Sequence, residues 1–162
     1  MTRKRDSPAA RALAAAGAEV VIADLDDAVT VQHAMEGAHG AFCVTNFWEH
    51  FSPAKELAQA HAMAEAAARA ALSHVIWSTL EDTRGFIKPD GAQMPVLGGS
   101  YNVPHLDAKG QANRAFIERR VPTTFLYTSF YWDNLIHFGM GPTRAADGRL
   151  VFALPMADKL LP

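Results

Sequence analysis

Short apolar runs alternate with helix-forming segments along this chain of 162 residues, and this alternation constrains its fold most strongly. The apolar runs predict strands and lie at 19–23, 40–44, 74–78 and 124–127, of which the first two are expected to be buried. Helical patterns with recognisable start and stop residues lie at 8–16, 27–36, 53–72 and 105–120. Strands and helices in this order predict an α/β fold, a parallel sheet with helices on both faces.

The composition fits one globular domain, which we predict to span residues 1–162. Hydrophobic residues make up 49% of the chain and charged residues 20%, enough for a packed core with a solvated surface. The net charge of -2 gives no reason to expect direct binding of nucleic acid. No run is apolar enough to span a membrane. Cys43 is the single cysteine, which excludes an internal disulfide and suits a cytoplasmic protein.

A glycine-rich turn between a first strand and a first helix is missing from the sequence. Rossmann-like folds use such a turn, G-x-G-x-x-G, to bring backbone N–H groups to a pyrophosphate. We therefore expect a partial Rossmann-like domain, an N-terminally truncated chain that lacks the first strand, the glycine loop and the second strand. Residues 19–23 and 40–44 then either pair directly or leave open sheet edges toward solvent or a partner chain.

Six segments, in this order, resemble the NmrA-like family of atypical short-chain dehydrogenases. They are GAEVV at 17–21, DLDD at 24–27, VTNFWE at 44–49, WSTLED at 77–82, VPHLDAKG at 103–110 and YWDN at 131–134. The resemblance implies that the chain binds NADP or NAD, with NADP preferred. Some members of the family are redox-sensing regulators that bind protein partners, and some relatives are reductases.

The resemblance also implies which residues contact the adenine half of the cofactor. Arg3 stands where the family has an Arg on the 2′-phosphate of NADP, which suits the planar guanidinium. The alternative for Arg3 is a disordered terminus. Asp24 and Leu25 follow a predicted strand and by resemblance lie along the adenine, while Asp26 or Asp27 caps the next helix.

The nicotinamide half is implied by three further segments. Thr45, Asn46 and Phe47 follow a predicted strand and by resemblance lie beside the ribose. The segment of Tyr131, Trp132, Asp133 and Asn134 matches the part of the family that lies near the nicotinamide. Ser78 and Thr79 occupy the place of the superfamily's catalytic Ser, and their alternative role is hydrogen bonding to backbone at the strand end.

Lys109 is the predicted ligand of the nicotinamide ribose, and His105 precedes it by four residues on the same helical face. The larger superfamily has a Tyr proton donor at that place. His105 is a candidate general acid or, alternatively, a packing residue at the start of a helix.

Three functional hypotheses follow. The first is an NAD(P)(H)-binding redox sensor or regulator, with a protein partner or self-association through open sheet edges. The alternative is an NAD(P)H-dependent reductase of small carbonyl or quinone substrates, with Lys109 and His105 as its catalytic residues. The third is an inert fragment. We predict no metal site, because the histidines and Cys43 show no ligand spacing.

Overall fold

The structure, a computed structural model, describes residues 1–87, 96–128 and 131–153. The chain divides into two compact units, Met1–Thr128 and Ser129–Pro162. The single domain expected over 1–162 stays a prediction.

A parallel sheet of three strands lies in the first unit and confirms the α/β fold class. The strands pair in the order β1-β2-β3 and are β1 Gly40–Cys43, β2 His74–Thr79 and β3 Thr123–Tyr127. Cys43 lies opposite Trp77, and Trp77 opposite Phe125. Because the strands are parallel, their carboxyl ends share one edge of the sheet.

In the first unit, four described α-helices precede or separate these strands along the sequence, close to their predicted positions. They are α1 Pro8–Ala15, α2 Ala28–Met35, α3 Pro53–Arg69 and α4 Pro104–Glu118. Three begin at side-chain caps, in which Ser7, Asp27 and Ser52 each accept a backbone N–H of the first turn. Asp27 is thus the cap that the sequence left open between Asp26 and Asp27.

Small side chains on α3 let three helices pack closely on one another. Ala60 and Ala64 are completely buried, and α3 contacts both α2 and α4. Trp77 of β2 and Phe116 of α4 stack with ring centroids 5.2 Å apart and are both fully buried. The core therefore lies between these helices and the face of the sheet that carries Trp77.

The buried strand predicted at 19–23 is wrong. This segment makes a single parallel bridge, in which Thr2 N–H donates to the Val21 carbonyl (2.9 Å) and Ala23 N–H to the Thr2 carbonyl (3.1 Å). Within the described residues it does not pair with β1. A strand needs backbone partners on at least one side, and within the described ranges Thr2 alone supplies them. Among the described residues β1 pairs with β2 alone, so its other edge is open.

In the described part of the connection between β2 and α4, the structure has a short 3-10 helix, Thr83–Gly85, and a bridge between Leu97 and Tyr101. The second unit contains the helix α5 Asn134–His137 and an antiparallel pair, β4 Thr143–Arg144 and β5 Leu150–Val151. Within the described ranges, no helix is long and apolar enough to cross a membrane.

Candidate functional site

Polar side chains collect at the carboxyl edge of the sheet, as the strand positions predict. Thr45 follows the end of β1 and is 5% exposed. Ser78 and Thr79 end β2 and are likewise buried. This edge is where parallel α/β sheets bind ligands, because strand ends and helix starts converge there.

Lys109 of α4 brings its ammonium to this edge. Its Nζ lies 2.6 Å from the hydroxyl and 3.1 Å from the carbonyl oxygen of Thr45. The third partner is Oε1 of Glu56 on α3, at 2.9 Å. Nζ also lies 5.2 Å from the ring centroid of Trp77, a cation–π distance. An ammonium has three donors, and here all three face acceptors.

Glu56 is the functional residue that the sequence reading missed. It is completely buried, and its Oε1 also accepts a short hydrogen bond from the Thr45 hydroxyl. A signal was present in the sequence, since Glu56 lies four residues before Ala60 on the face of α3 that faces the core. Acidic residues are almost never fully buried unless they are paired, so a carboxylate in that stripe calls for a cation such as Lys109.

Thr79 contacts helix α4. Its hydroxyl lies 2.7 Å from Oδ1 of Asn113 and 3.1 Å from the carbonyl oxygen of Lys109. The indole N–H of Trp77 donates to the same Asn113 oxygen at 3.0 Å. These bonds fix α4 against the end of β2, which matches the structural alternative for Thr79 and sets the position from which Lys109 reaches the edge.

His105 lies in a cluster of aromatic rings near Lys109. Its ring centroid is 4.8 Å from that of Trp48 and 6.0 Å from that of Phe47. Burial lowers the pKa of His105 below its usual range, and the carboxylates of Asp107 and Glu56 oppose that shift. These contacts agree with the packing role, and the side chain keeps partial access to solvent. The acid role of His105 stays a prediction.

The Asp107 carboxylate, one helical turn before Gln111, is completely buried and joins two loop segments. Oδ1 accepts the backbone N–H of Thr83 (2.8 Å) and its hydroxyl (2.6 Å). Oδ2 accepts the backbone N–H groups of Asn102 (2.8 Å) and Val103 (2.9 Å). Asp107 thereby fixes the start of α4 and the loop after β2 on either side of the site.

Arg3 forms an ion pair with a carboxylate. One guanidinium nitrogen lies 3.1 Å from both oxygens of Glu49, which ends the 3-10 helix Phe47–Glu49. The Arg3 side chain is 58% exposed and the Glu49 side chain 50%. Thr2 anchors this segment through its bridge to Ile22. The structure thus places Arg3 beside the segment that follows β1.

The other predicted residues of the first unit lie at the ends of the same elements. The side chain of Asp24 accepts the N–H of Asp26 at 3.0 Å, and Leu25 packs against the core. Asn46 is exposed, whereas Phe47 is 6% exposed and belongs to the aromatic cluster. These positions leave the Asn46 amide accessible to a ligand.

The aromatic segment lies in the second unit. Tyr131, Trp132 and Asp133 precede α5, and Asn134 is its first residue. Their predicted role near a nicotinamide stays a prediction. Across the described residues, no group of three or more His, Cys, Asp or Glu side chains could hold a metal ion.

Several solved structures share this fold. NmrA, a negative transcriptional regulator in complex with NAD, has a TM-score of 0.68 at 22% identity, covering 93% of this chain and 44% of its own. A Citrobacter sp. triphenylmethane reductase complexed with NADP(H) has a TM-score of 0.63 at 20% identity, covering 83% and 41%. An NADPH-dependent quinone oxidoreductase from Escherichia coli, complexed with NADPH, reaches 0.55 at 20% identity, covering 80% and 40%.

The chain therefore spans less than half the length of these proteins. Their likeness shows that the three-stranded parallel sheet and its helices belong to a fold shared by regulators and reductases. The sequence model of the NmrA-like family matches residues 1–162. This chain belongs to the NmrA-like family.

Proposed function

We propose that this chain binds a nicotinamide dinucleotide at the carboxyl edge of its sheet and acts as a redox-sensing or regulatory protein. The observation that carries the proposal is the buried Lys109 ammonium beside Thr45. An ammonium placed where two strand ends converge suits the vicinal hydroxyls of a ribose, because it donates and they accept. The solved structures of similar fold that hold NAD or NADP(H) support the same ligand class.

The proposed site combines Lys109 with Thr45, Asn46 and Phe47 at the ribose, and Asp24 and Leu25 at the adenine. The nicotinamide role that the family resemblance implies for Tyr131, Trp132, Asp133 and Asn134, which belong to the second unit, is kept as a separate proposal. The backbone around Thr45 contributes a carbonyl, and Asn46 contributes an exposed amide that can donate and accept hydrogen bonds.

NADP preference is proposed from Arg3. Its guanidinium is exposed and forms an ion pair with Glu49. Exposed ion pairs contribute about 0–1 kcal/mol, so a 2′-phosphate with two negative charges can replace Glu49 as the partner. NAD lacks that phosphate and gains nothing from Arg3.

A titration separates these statements. NADPH and NADH are titrated separately into the purified chain, with intrinsic tryptophan fluorescence as the signal. We expect Lys109→Ala to weaken both dinucleotides, and Arg3→Gln to weaken NADPH by about tenfold, the equivalent of about 1.4 kcal/mol, without changing NADH. Lys4→Gln, an exposed cation next to Arg3, is the matched control.

Circular dichroism confirms that each variant is folded, and Lys109→Arg keeps the charge if Lys109→Ala unfolds. A folded wild-type chain that binds neither dinucleotide contradicts the proposal. Equal loss of NADPH and NADH affinity in Arg3→Gln contradicts the assigned preference.

Self-association through the open sheet edge belongs to the regulatory proposal. Phe42 of β1 exposes an apolar side chain, and open edges pair readily with other chains. Sedimentation velocity over a range of concentrations tests this, with Phe42→Lys expected to shift the chain toward monomer. A monomer at all concentrations removes this part of the proposal.

A cytoplasmic location is also proposed, because Cys43 is the single cysteine of the chain.

A reductase of small carbonyl or quinone substrates is the second candidate, favoured by the partly accessible imidazole of His105 one helical turn before Lys109. Reduction of a quinone to a hydroquinone by NADPH transfers a hydride and consumes one proton, which His105 or water supplies. NADPH consumption with a panel of quinones and aldehydes tests it. Turnover that survives Lys109→Ala rejects the assigned roles.

A further inference from the structure

The carboxylate of Glu56 has two oxygens with different surroundings. Oε1 faces the Lys109 ammonium at 2.9 Å and accepts the Thr45 hydroxyl. Oε2 is buried and has no hydrogen-bond partner among the described residues. A buried acceptor without a donor is costly, so this half of the carboxylate needs an explanation.

His50 faces the free oxygen. Its Nε2 lies 3.5 Å from Oε2 of Glu56 and is itself buried without a hydrogen-bond partner. The backbone N–H of Ser52 donates to Nδ1 at 3.1 Å, so a neutral ring carries its proton on Nε2. The distance allows electrostatic attraction and is too long for a good hydrogen bond. Glu56 thus lies between a cation on one side and an N–H on the other.

A purely structural ion pair is a poor account of this arrangement. Removing two charges from water costs several kcal/mol per ion, and well-packed apolar residues often stabilise a core as well or better. The pair lies at the carboxyl edge of β1, the part of the sheet that holds the proposed ligand. Lys109 is 11% exposed and Glu56 is not exposed at all, so the cation faces the edge and the anion lies behind it.

We propose that Glu56 is a positioning residue, which fixes the Lys109 ammonium at the end of β1 with His50 as its second neighbour. The inference rests on the proposed function, because Lys109 is the residue that would hold the ribose. All three donors of Lys109 are engaged, so a ribose hydroxyl must displace one acceptor. Thr45 supplies two of them, and contact with Glu56 keeps the ammonium in place when one is given up.

The first test measures Lys109 directly and needs no dinucleotide. The purified chain is treated with a limiting amine acylating reagent, and the extent of modification at each lysine is read by peptide mass spectrometry. In Glu56→Gln we expect modification of Lys109 to rise at least threefold relative to Lys4, because the neutral amide holds the ammonium less firmly. The matched control is Glu65→Gln, also on α3, whose carboxylate binds Arg69 and Arg119 near the surface.

The second test measures affinity. We expect Glu56→Gln to weaken NADPH and NADH alike by about tenfold, since loss of one well-placed charged contact corresponds to about 1.4 kcal/mol. Glu65→Gln is expected to bind as wild type. Glu56→Asp keeps the charge on a shorter side chain and is expected to show smaller changes in the same direction, so it serves if the amide variant does not fold.

The outcomes separate the two proposals. If the wild-type chain binds dinucleotide, and folded Glu56 variants bind it equally with unchanged Lys109 modification, the positioning role is overturned. If the wild-type chain binds no dinucleotide but modification of Lys109 still rises in Glu56→Gln, the proposed function fails and the positioning of Lys109 by Glu56 stands.

Discussion

Replacement of Asp107 by Ala is expected to destabilise the first unit strongly. The carboxylate is completely buried and accepts four hydrogen bonds, from Thr83 N–H and hydroxyl and from the N–H groups of Asn102 and Val103. Hydrogen bonds to a charged group contribute about 1.5–3 kcal/mol each. The donors are only partly buried, so water can replace some of these bonds in the variant.

If water replaces half of them, the loss in free energy of unfolding is still about 3 kcal/mol or more. That is a large fraction of the roughly 5–15 kcal/mol that stabilises a domain. Urea denaturation followed by circular dichroism measures it. Asp107→Asn keeps one acceptor oxygen and should lose about half as much. Asp6→Ala, at an exposed position, is the control and should change stability little.

Hydrogen exchange localises the effect. In Asp107→Ala the amides of Asn102 and Val103 should lose protection from exchange. The amides of β2 should still exchange only by global unfolding, with a protection that matches the variant's free energy of unfolding. A loss within about 0.5 kcal/mol, the range of a typical surface substitution, would refute the reasoning that this carboxylate holds the loops around α4.

Three further predictions concern other sites in the first unit. Gly110→Ala should lower the free energy of unfolding by about 1–3 kcal/mol, because a Cβ there would lie 2.7 Å from the backbone nitrogen of Asp82. The control in urea denaturation is Gly85→Ala, where a Cβ meets nothing within 4 Å. Equal losses of stability in the two variants would contradict this prediction. Burial raises the pKa of the Cys43 thiol to about 12, so a thiol reagent should modify it only after denaturant is added, and rapid labelling of the native chain counts against the buried placement. Burial lowers the pKa of His105 from its ordinary 6.5. Just below pH 6.5 the unfolded chain therefore binds more protons than the folded chain, so the free energy of unfolding should rise with pH in that window. An NMR titration of His105 with a midpoint at or above 6.5 would contradict the shift.

Local signals predicted the helices well. The caps at Ser7, Asp27 and Ser52 and the prolines beside two of them are read from a few neighbouring residues, and they act over the same short range in the structure. The same holds for β1 to β3, whose apolar runs supply Cys43, Val75 and Trp77 to the core and Phe125 to its margin. Element order and fold class could therefore be predicted without tertiary contacts.

The features that could not be predicted from the sequence depend on contacts between residues that are distant along the chain. Residues 19–23 have a strand-like composition, but in the part of the chain that the structure describes only Thr2 pairs with them, and no local pattern reveals how many neighbours a strand will have. Arg3 is held by Glu49, and Lys109 by Glu56 and Thr45, pairs that only the folded chain brings together. Placement of Lys109 at the sheet edge agrees with the family resemblance, but the acid behind it was visible only as an unexplained charge in an apolar stripe.

The order of the sheet has a consequence for how the chain acquires its fold. β1, β2 and β3 are neighbours in space in the order in which they occur in the sequence, with α3 between β1 and β2 along the chain and α4 between β2 and β3. No strand has to wait for a later one to be inserted beside it. During synthesis, β1 and α3 can therefore dock on β2 before α4 and β3 leave the ribosome, and the Lys109–Glu56 contact closes only when α4 arrives. Assembly in the order of translation spares these strands a search for distant partners, the step that slows folding in sheets of mixed order.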